Sequence, residues 1–402
     1  NGCALLDRQR HMPNSVTRRG FLEVCAAAAL ASRAEGQETV PEAAVVKRRP
    51  VIDITDLYHP HQDRGDNFDL ISAYSLPEVD LRAVIFDVTD RYRRPYQREG
   101  DPYADPTGPR EPGFITVQQL NYIFNRDVPC AAAPFQAMRS PDDAMRDAPR
   151  FQTNGIDLML RVLEESTDPV DVVSFGSARP LAVAFNRAPG LVKEKIRMAH
   201  ICAGAAPAGY LEWNVQLDPH AFVRVLRSDM NVAVYPCATD TSPFDLGPHN
   251  CYYSLPDLDF VQSMAAPLQR YIEYAFTRSA RQDFLGVLDL DQPLADMDGH
   301  YHHPHHVWET AVWEQVANRK IAGLGGGAFR LLPADEIVPG QQTVSSELLP
   351  CTFDVRDDGQ FHFSLDEEPT GKFIYHRKNP QQYQDAMRQA LPALYRACMI
   401  QP

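Results

Sequence analysis

The 402-residue chain has no CxxC pair. Its eight cysteines (Cys3, Cys25, Cys130, Cys202, Cys237, Cys251, Cys351 and Cys398) are scattered, which argues against a zinc site and a small disulfide scaffold. In an exported protein one or two disulfides are open to such a set, but the sequence does not pair them. Positive charge is also scarce: 39 Lys and Arg face 53 Asp and Glu, for a formal net charge of -14. That balance argues against nucleic acid as a partner, because phosphate contacts need an excess of cations. The one Ala-rich apolar run is too short to span a bilayer comfortably. Internal repeats and low-complexity tracts are missing after residue 48. The rest is ordinary globular composition, 44% hydrophobic and 23% charged, enough for one large α/β domain or two domains. Thirty-three prolines point to many long, ordered loops.

The segment TRRGFLEVCAAAALASRA (Thr17 to Ala34) pairs Arg18 and Arg19 with Phe21 and Leu22, then an apolar run ending at Ser32-Arg33-Ala34. It looks like a twin-arginine export signal with a small-x-small cleavage site. The expectation is a folded protein exported to the periplasm or beyond, with no stable membrane anchor after processing. Residues 1–48 are set apart as signal and linker.

From Arg49 onward, strand and helix patterns alternate. PVIDIT reads as a strand, DNFDLISAYSL as a helix and DLRAVIFDV as a second strand, a βαβ unit that is parallel by default. TVQQLNYIF and VPCAAAP repeat helix and strand, and the polar stretch from Thr89 to Pro112 reads as a long loop. GIDLMLRVLEES presents Ile156, Met159, Leu160 and Leu163 on one helical face. VDVVSFG, RMAHICAG and NVAVYPC are strands of near-continuous apolar residues. The fold class is α/β, a doubly wound, mostly parallel open sheet over residues 49–330. Residues 331–402 add a hairpin around Asp358-Gly359 and a terminal helix that Pro392 should bend, both expected to pack on the same domain.

Five aspartates crowd the first strand-to-helix junction: Asp53, Asp56, Asp63, Asp66 and Asp69. Like charges this close repel unless solvent screens them or a cation sits among them. In open α/β sheets, ligands bind beyond the carboxyl ends of the strands, where Asp53 and Asp56 are expected to fall. Several carboxylates meeting there favour Ca²⁺ or Mg²⁺ over zinc, while a helix N-cap and a solvated acidic loop would account for the same pattern.

DITD, then GDNFDLISAYSLPEVDLRAVIFD, resembles the opening of the nucleoside hydrolase family of the inosine-uridine preferring type. That family begins with a strand, an aspartate motif D-x-D-x-x-x-D-D, a helix and Ser-Pro-Glu. VDVVSFGSARPLAVAFNRAPGLVKEKIRMAHICAGA and EWNVQLDPHAF resemble later family segments, and together the likeness covers roughly Pro50 to Phe329. It implies Asp56 as general base and metal ligand, Asp66 and the Phe175 carbonyl as further Ca²⁺ ligands, and Glu212 and Asn214 on sugar hydroxyls. Asp90 falls near a ribose-binding asparagine of the family. Gly65 stands where a ribose-binding aspartate is usual, which leaves Asp63 to take over that role, and Arg179-Pro180 replaces Thr-Asn.

The closing segment of the family is matched to VWETAVW, making Glu309 the last metal ligand and Trp308 a stacking surface for the leaving group. His306 or His303 would supply a proton. The implied reaction is calcium-dependent hydrolysis of an N-glycosidic bond in a nucleoside or related riboside, by a chain that family analogy makes a homo-oligomer. Two alternatives stay open: a degenerate relative that binds sugar or nucleoside without cleaving it, and a metal hydrolase built on His300, His302, His303, His305 and His306.

Overall fold

The structure is a computed structural model that describes residues 48–59, 64–90, 111–308 and 310–398. The described residues form one compact unit. β1 (Arg49–Thr55) alternates its side chains between two cores, as a strand must. Val51 joins Phe68, Ile71, Val84 and Trp313 on one face, while Ile52 and Ile54 join Ile85, Met159 and Leu181 on the other. Both faces are covered, so β1 and β4 (Val170–Ser174) read as mostly apolar runs, with Asp53 and Asp171 buried among them.

β2 (Val79–Phe86), β3 (Cys130–Ala132), β5 (Ile196–Ile201) and β6 (Val232–Val234) extend the sheet. β7 (Tyr253–Leu255) and β8 (His305–Val307) form a separate antiparallel pair. β9 (Arg319–Gly325), β10 (Ala328–Pro333) and β11 (Thr343–Val344) make a small sheet of their own. β12 (Ser346–Val355), β13 (Phe361–Leu365) and β14 (Lys372–Arg377) complete the main sheet, whose order is β13-β12-β14-β6-β5-β4-β1-β2-β3. The strands from β3 through β14 in that order pair in parallel; β12 and β13 are antiparallel. The fold class is therefore mixed α/β with a large, mostly parallel central sheet.

The C-terminal hairpin belongs to the same unit: with β14 it continues the main sheet. Its turn needs Gly359 at φ +90°, and a Cβ there would stand 2.5 Å from Val215 Cγ1, so the hairpin tip rests on the helix Trp213–Leu217. A boundary at residue 330 would cut β10. Pro392 lies inside a helix that runs unbroken over Pro380–Arg396. On the helix Arg150–Glu165, Ile156, Met159 and Leu163 are buried as expected, while Leu160 is only half-buried.

The helix Gly65–Ser75 is buried from Gly65 through Tyr74. This explains its weak amphipathic pattern: it is enclosed by sheet and neighbouring helices rather than lying on a surface. Its polar residues are bonded inside the protein. Tyr271 OH donates to Asn67 Oδ1 (2.7 Å), and Trp313 Nε1 donates to Asp69 Oδ1 (3.3 Å).

Candidate functional site

The carboxyl ends of β1 and β4 open into a cavity of about 370 Å³. Asp56, Asp66, Phe175, Glu212, Asn214 and Trp308 line it, residues drawn from segments far apart in the chain. Tyr210, Trp213, Cys237, Pro243 and Phe244 complete the wall. Asp56 follows β1 directly, Phe175 follows β4, and Asp66 lies in the first turn of the helix Gly65–Ser75. Gly176 lets the β4 turn close against Asp56: a Cβ at that position would lie 3.1 Å from Asp56 Cβ and 2.7 Å from Asp87 Oδ2.

Glu212 caps the short helix Trp213–Leu217. Its carboxylate accepts from the Gly204 (2.8 Å), Asn214 (3.0 Å) and Val215 (3.4 Å) amides. Burial nonetheless pushes its pKa up to about 7, because desolvation outweighs the amide dipoles. Asn214 ties two strand ends together. Its Nδ2 donates to the Phe175 carbonyl (3.0 Å) and the Cys202 carbonyl (2.9 Å). One face of the expected metal-binding carbonyl is thus engaged, though a carbonyl oxygen keeps a second lone pair.

Beneath the cavity lies a buried ion triad. Arg179 Nη2 donates to Asp87 Oδ1 (2.7 Å), the Val88 carbonyl (3.0 Å) and Thr89 Oγ1 (2.9 Å), and Nη1 stands 3.6 Å from Asp218 Oδ2. Burial works to lower the Arg179 pKa, but Asp87 and Asp218 outweigh it and hold it above the ordinary value. Asp87 also accepts from the Ser177 amide (2.6 Å), so the triad braces the turn that carries Phe175 and Gly176. Arg179-Pro180, a departure from the resembled pattern, is a structural brace here.

Part of the lining is aromatic. Phe244 packs on Trp308 (ring centroids 5.7 Å) and on His306 (4.7 Å), and Tyr252 packs on Trp308 (5.5 Å). Trp308 Nε1 donates to the Pro243 carbonyl (2.9 Å), which fixes the indole against the loop. His306 is exposed, sits outside the cavity lining, and pairs through Nδ1 with Tyr252 OH (2.8 Å). Desolvation, then His303, lowers its pKa, so it is neutral at pH 7.

The histidine run organises around a cation already present in the chain. Arg64 Nη1 meets His303 Nε2 (2.9 Å) and His305 Nδ1 (3.2 Å), and Arg64 Nη2 meets His300 Nδ1 (3.4 Å). Burial, then Arg64, pushes His305 down to about 3, leaving a neutral acceptor ring. Among the described residues no three His, Cys, Asp or Glu side chains converge as a metal-binding group. The histidine metal centre is therefore corrected: these nitrogens face a guanidinium. His302 pairs instead with Asp259 (3.0 Å).

Of the other expected residues, Asp90 is exposed, accepts from Gln136 Nε2 (2.5 Å) and does not line the cavity. Asp63 and Glu309 lie outside the described residues. Asp53 points into the core; neither carboxylate oxygen has a hydrogen-bond partner among the described residues, and burial raises its pKa to about 8. Tyr210, Pro243, Phe244 and Cys237 were not anticipated. Trp213 stood inside the quoted EWN segment, but Phe244 belongs to an irregular loop without periodicity to mark it.

Two carboxylates and a main-chain carbonyl on one cavity are an all-oxygen set, suited to a hard divalent cation. Calcium usually takes about six to eight oxygens, so this set fits as part of a shell that water and substrate hydroxyls would complete.

No family model matches the chain, and no curated protein matches it. Among solved structures, the chain is similar to a plant nucleoside hydrolase (13% identity, TM-score 0.48, covering 88% of this chain and 99% of that one). It is also similar to an inosine-uridine preferring nucleoside hydrolase from Bacillus anthracis (13%, TM-score 0.43, 87% and 99%). A third is the type III effector protein XopQ complexed with adenosine diphosphate ribose (15%, TM-score 0.45, 88% and 95%). Likenesses this distant do not bear on the chemistry of the cavity, which rests on its own residues.

Proposed function

We propose that this chain hydrolyses the N-glycosidic bond of a nucleoside or related N-riboside with the help of calcium. The observation that carries the reading is one cavity lined both by carboxylates and by aromatic rings. Breaking a ribosyl C–N bond builds positive charge on the sugar ring, and Asp56, Asp66 and Glu212 supply a preorganised negative field for it. Phe244 and Trp308 stack against the departing planar ring. Asp56 accepts the proton of the attacking water. Glu212, poised near neutrality, exchanges hydrogen bonds with a sugar hydroxyl in either protonation state. Asp56, Asp66 and the Phe175 carbonyl would hold the cation, which when bound acidifies water and grips vicinal hydroxyls. His306 is neutral at pH 7, so any proton it delivers to the leaving group grows with acidification.

A second reading, binding without cleavage, draws on two features. Gly65 brings no side chain where a sugar-gripping carboxylate was expected, and the Asn214 amide is committed to two carbonyls. Incubation with 4-nitrophenyl riboside, with and without a calcium chelator, separates the two. Nitrophenol release that stops with chelator and in Asp56→Asn supports the enzyme. Saturable binding with no release supports the binder, and neither response removes both. The export segment lies outside the described residues and stays part of this proposal; a processed chain in the periplasmic fraction would support it.

A further inference from the structure

We propose that the C-terminal strand β14, through Arg377, positions the aromatic wall of the cavity; the assignment of what binds there rests on the reading above. Residues 331–402 carried no assignable chemistry in the sequence. In the structure they hold the loop that presents Pro243 and Phe244. Arg377 is fully buried. Its Nε donates to the Gly247 carbonyl (3.0 Å), its Nη2 donates to Asn250 Oδ1 (2.9 Å), and its main-chain amide donates to the Pro248 carbonyl (2.8 Å). Asn250, also fully buried, relays this inward: its Oδ1 accepts from the Gly247 amide (2.8 Å) and its Nδ2 donates to the Asp245 carbonyl (2.7 Å). His249 Nδ1 adds a contact to the Tyr375 carbonyl (3.1 Å). The guanidinium lies over the Tyr383 ring at 5.3 Å, so the terminal helix fixes it from behind.

The other edge of the wall is held by the same helix. Arg388 Nε donates to the Ser254 carbonyl (2.8 Å) and Gln384 Oε1 accepts from the Ser254 amide (2.9 Å). Ser254 lies in β7, opposite His306 of β8, and Trp308 follows β8 directly. The two edges meet where Trp308 Nε1 donates to the Pro243 carbonyl. Phe244 itself is 53% exposed; its ring touches Tyr252, His306 and Trp308 along one edge, and the loop that carries it decides whether those contacts form. A forked guanidinium can hold two acceptors at once; a lysine ammonium at that site cannot reproduce the fork.

The test uses the full chain with Arg377→Lys and, cutting the same link from the loop side, Asn250→Ala. Hypoxanthine and ribose are titrated separately, and amide hydrogen exchange is followed over residues 244–250. The expected result is about tenfold weaker hypoxanthine binding, ribose binding within twofold of the parent, and faster exchange in that loop. Folded variants with parental hypoxanthine affinity and exchange would overturn the proposal, as would equal loss of both ligands. Should the parent bind neither ligand, the functional reading fails and the exchange arm decides the clamp: faster exchange sustains it and unchanged exchange sinks it.

Discussion

Replacing Arg179 by methionine should destabilise the protein severely, although the side chain never reaches solvent. Methionine follows the aliphatic stem, stops short of the guanidinium, and brings no charge and no donors. Asp87 would keep the Ser177 amide, and Asp218 would keep the Met138 (2.8 Å) and Ala221 (3.1 Å) amides, but neither would keep a counter-ion among the described residues. Breaking a buried pair from one side costs about 3–5 kcal/mol, because a charge is left uncompensated in low dielectric. Unfolding entropy scales with chain length, so in a chain this long that loss corresponds to a Tm fall of roughly 4–8 °C. Scanning calorimetry at pH 7 reads it. The double variant Asp87→Asn with Arg179→Met removes both charges of the closer pair, leaving Asp218, and should recover at least about 1 kcal/mol relative to the sum of the single changes. A methionine variant as stable as the parent, or a double variant worse than additive, would refute the reasoning.

Three further outcomes follow from the same geometry. Glu212 titrates from 4.5 in the unfolded chain to about 7 when folded, so the native state holds its proton more tightly and stability falls as pH rises between those values. The loss amounts to about 3 kcal/mol and levels off above pH 7, and the Tm-against-pH curve of Glu212→Gln, taken in chelator, should lack that slope. Gly176→Ala pushes a methyl against Asp87 and Asp56 and should cut turnover at least about tenfold while costing about 1–3 kcal/mol of stability; unchanged kinetics would contradict the close approach. Trp308→Ala should raise KM for a riboside with an aromatic leaving group by about three- to tenfold, with Trp308→Phe in between, as steady-state kinetics would read.

Much of the parallel sheet was legible because strands buried on both faces leave mostly apolar runs such as Val170–Ser174, interrupted there only by Asp171 before the final serine. The central helix Gly65–Ser75 was legible as a helix, yet not as a buried one: its polar residues are bonded to Tyr271 and Trp313, more than 200 positions away. The cavity residues that follow strands, Asp56 and Phe175, could be placed from the rule that ligands sit beyond strand ends. Phe244 could not, since an irregular loop takes its position from Arg377 and Asn250, which no local pattern connects to it. The histidine run misled for a related reason. Its composition suits a metal, but Arg64 occupies the focus of the rings.

The central claim is that Asp56 and Asp66 share one divalent cation. Calorimetric titration of calcium into chelator-treated protein tests it most directly. One saturable site is expected in the parent and in the surface variant Asp147→Asn, with binding abolished in Asp56→Asn and Asp66→Asn. A parent that binds no calcium, or an Asp66→Asn variant that binds it as the parent does, would contradict the account.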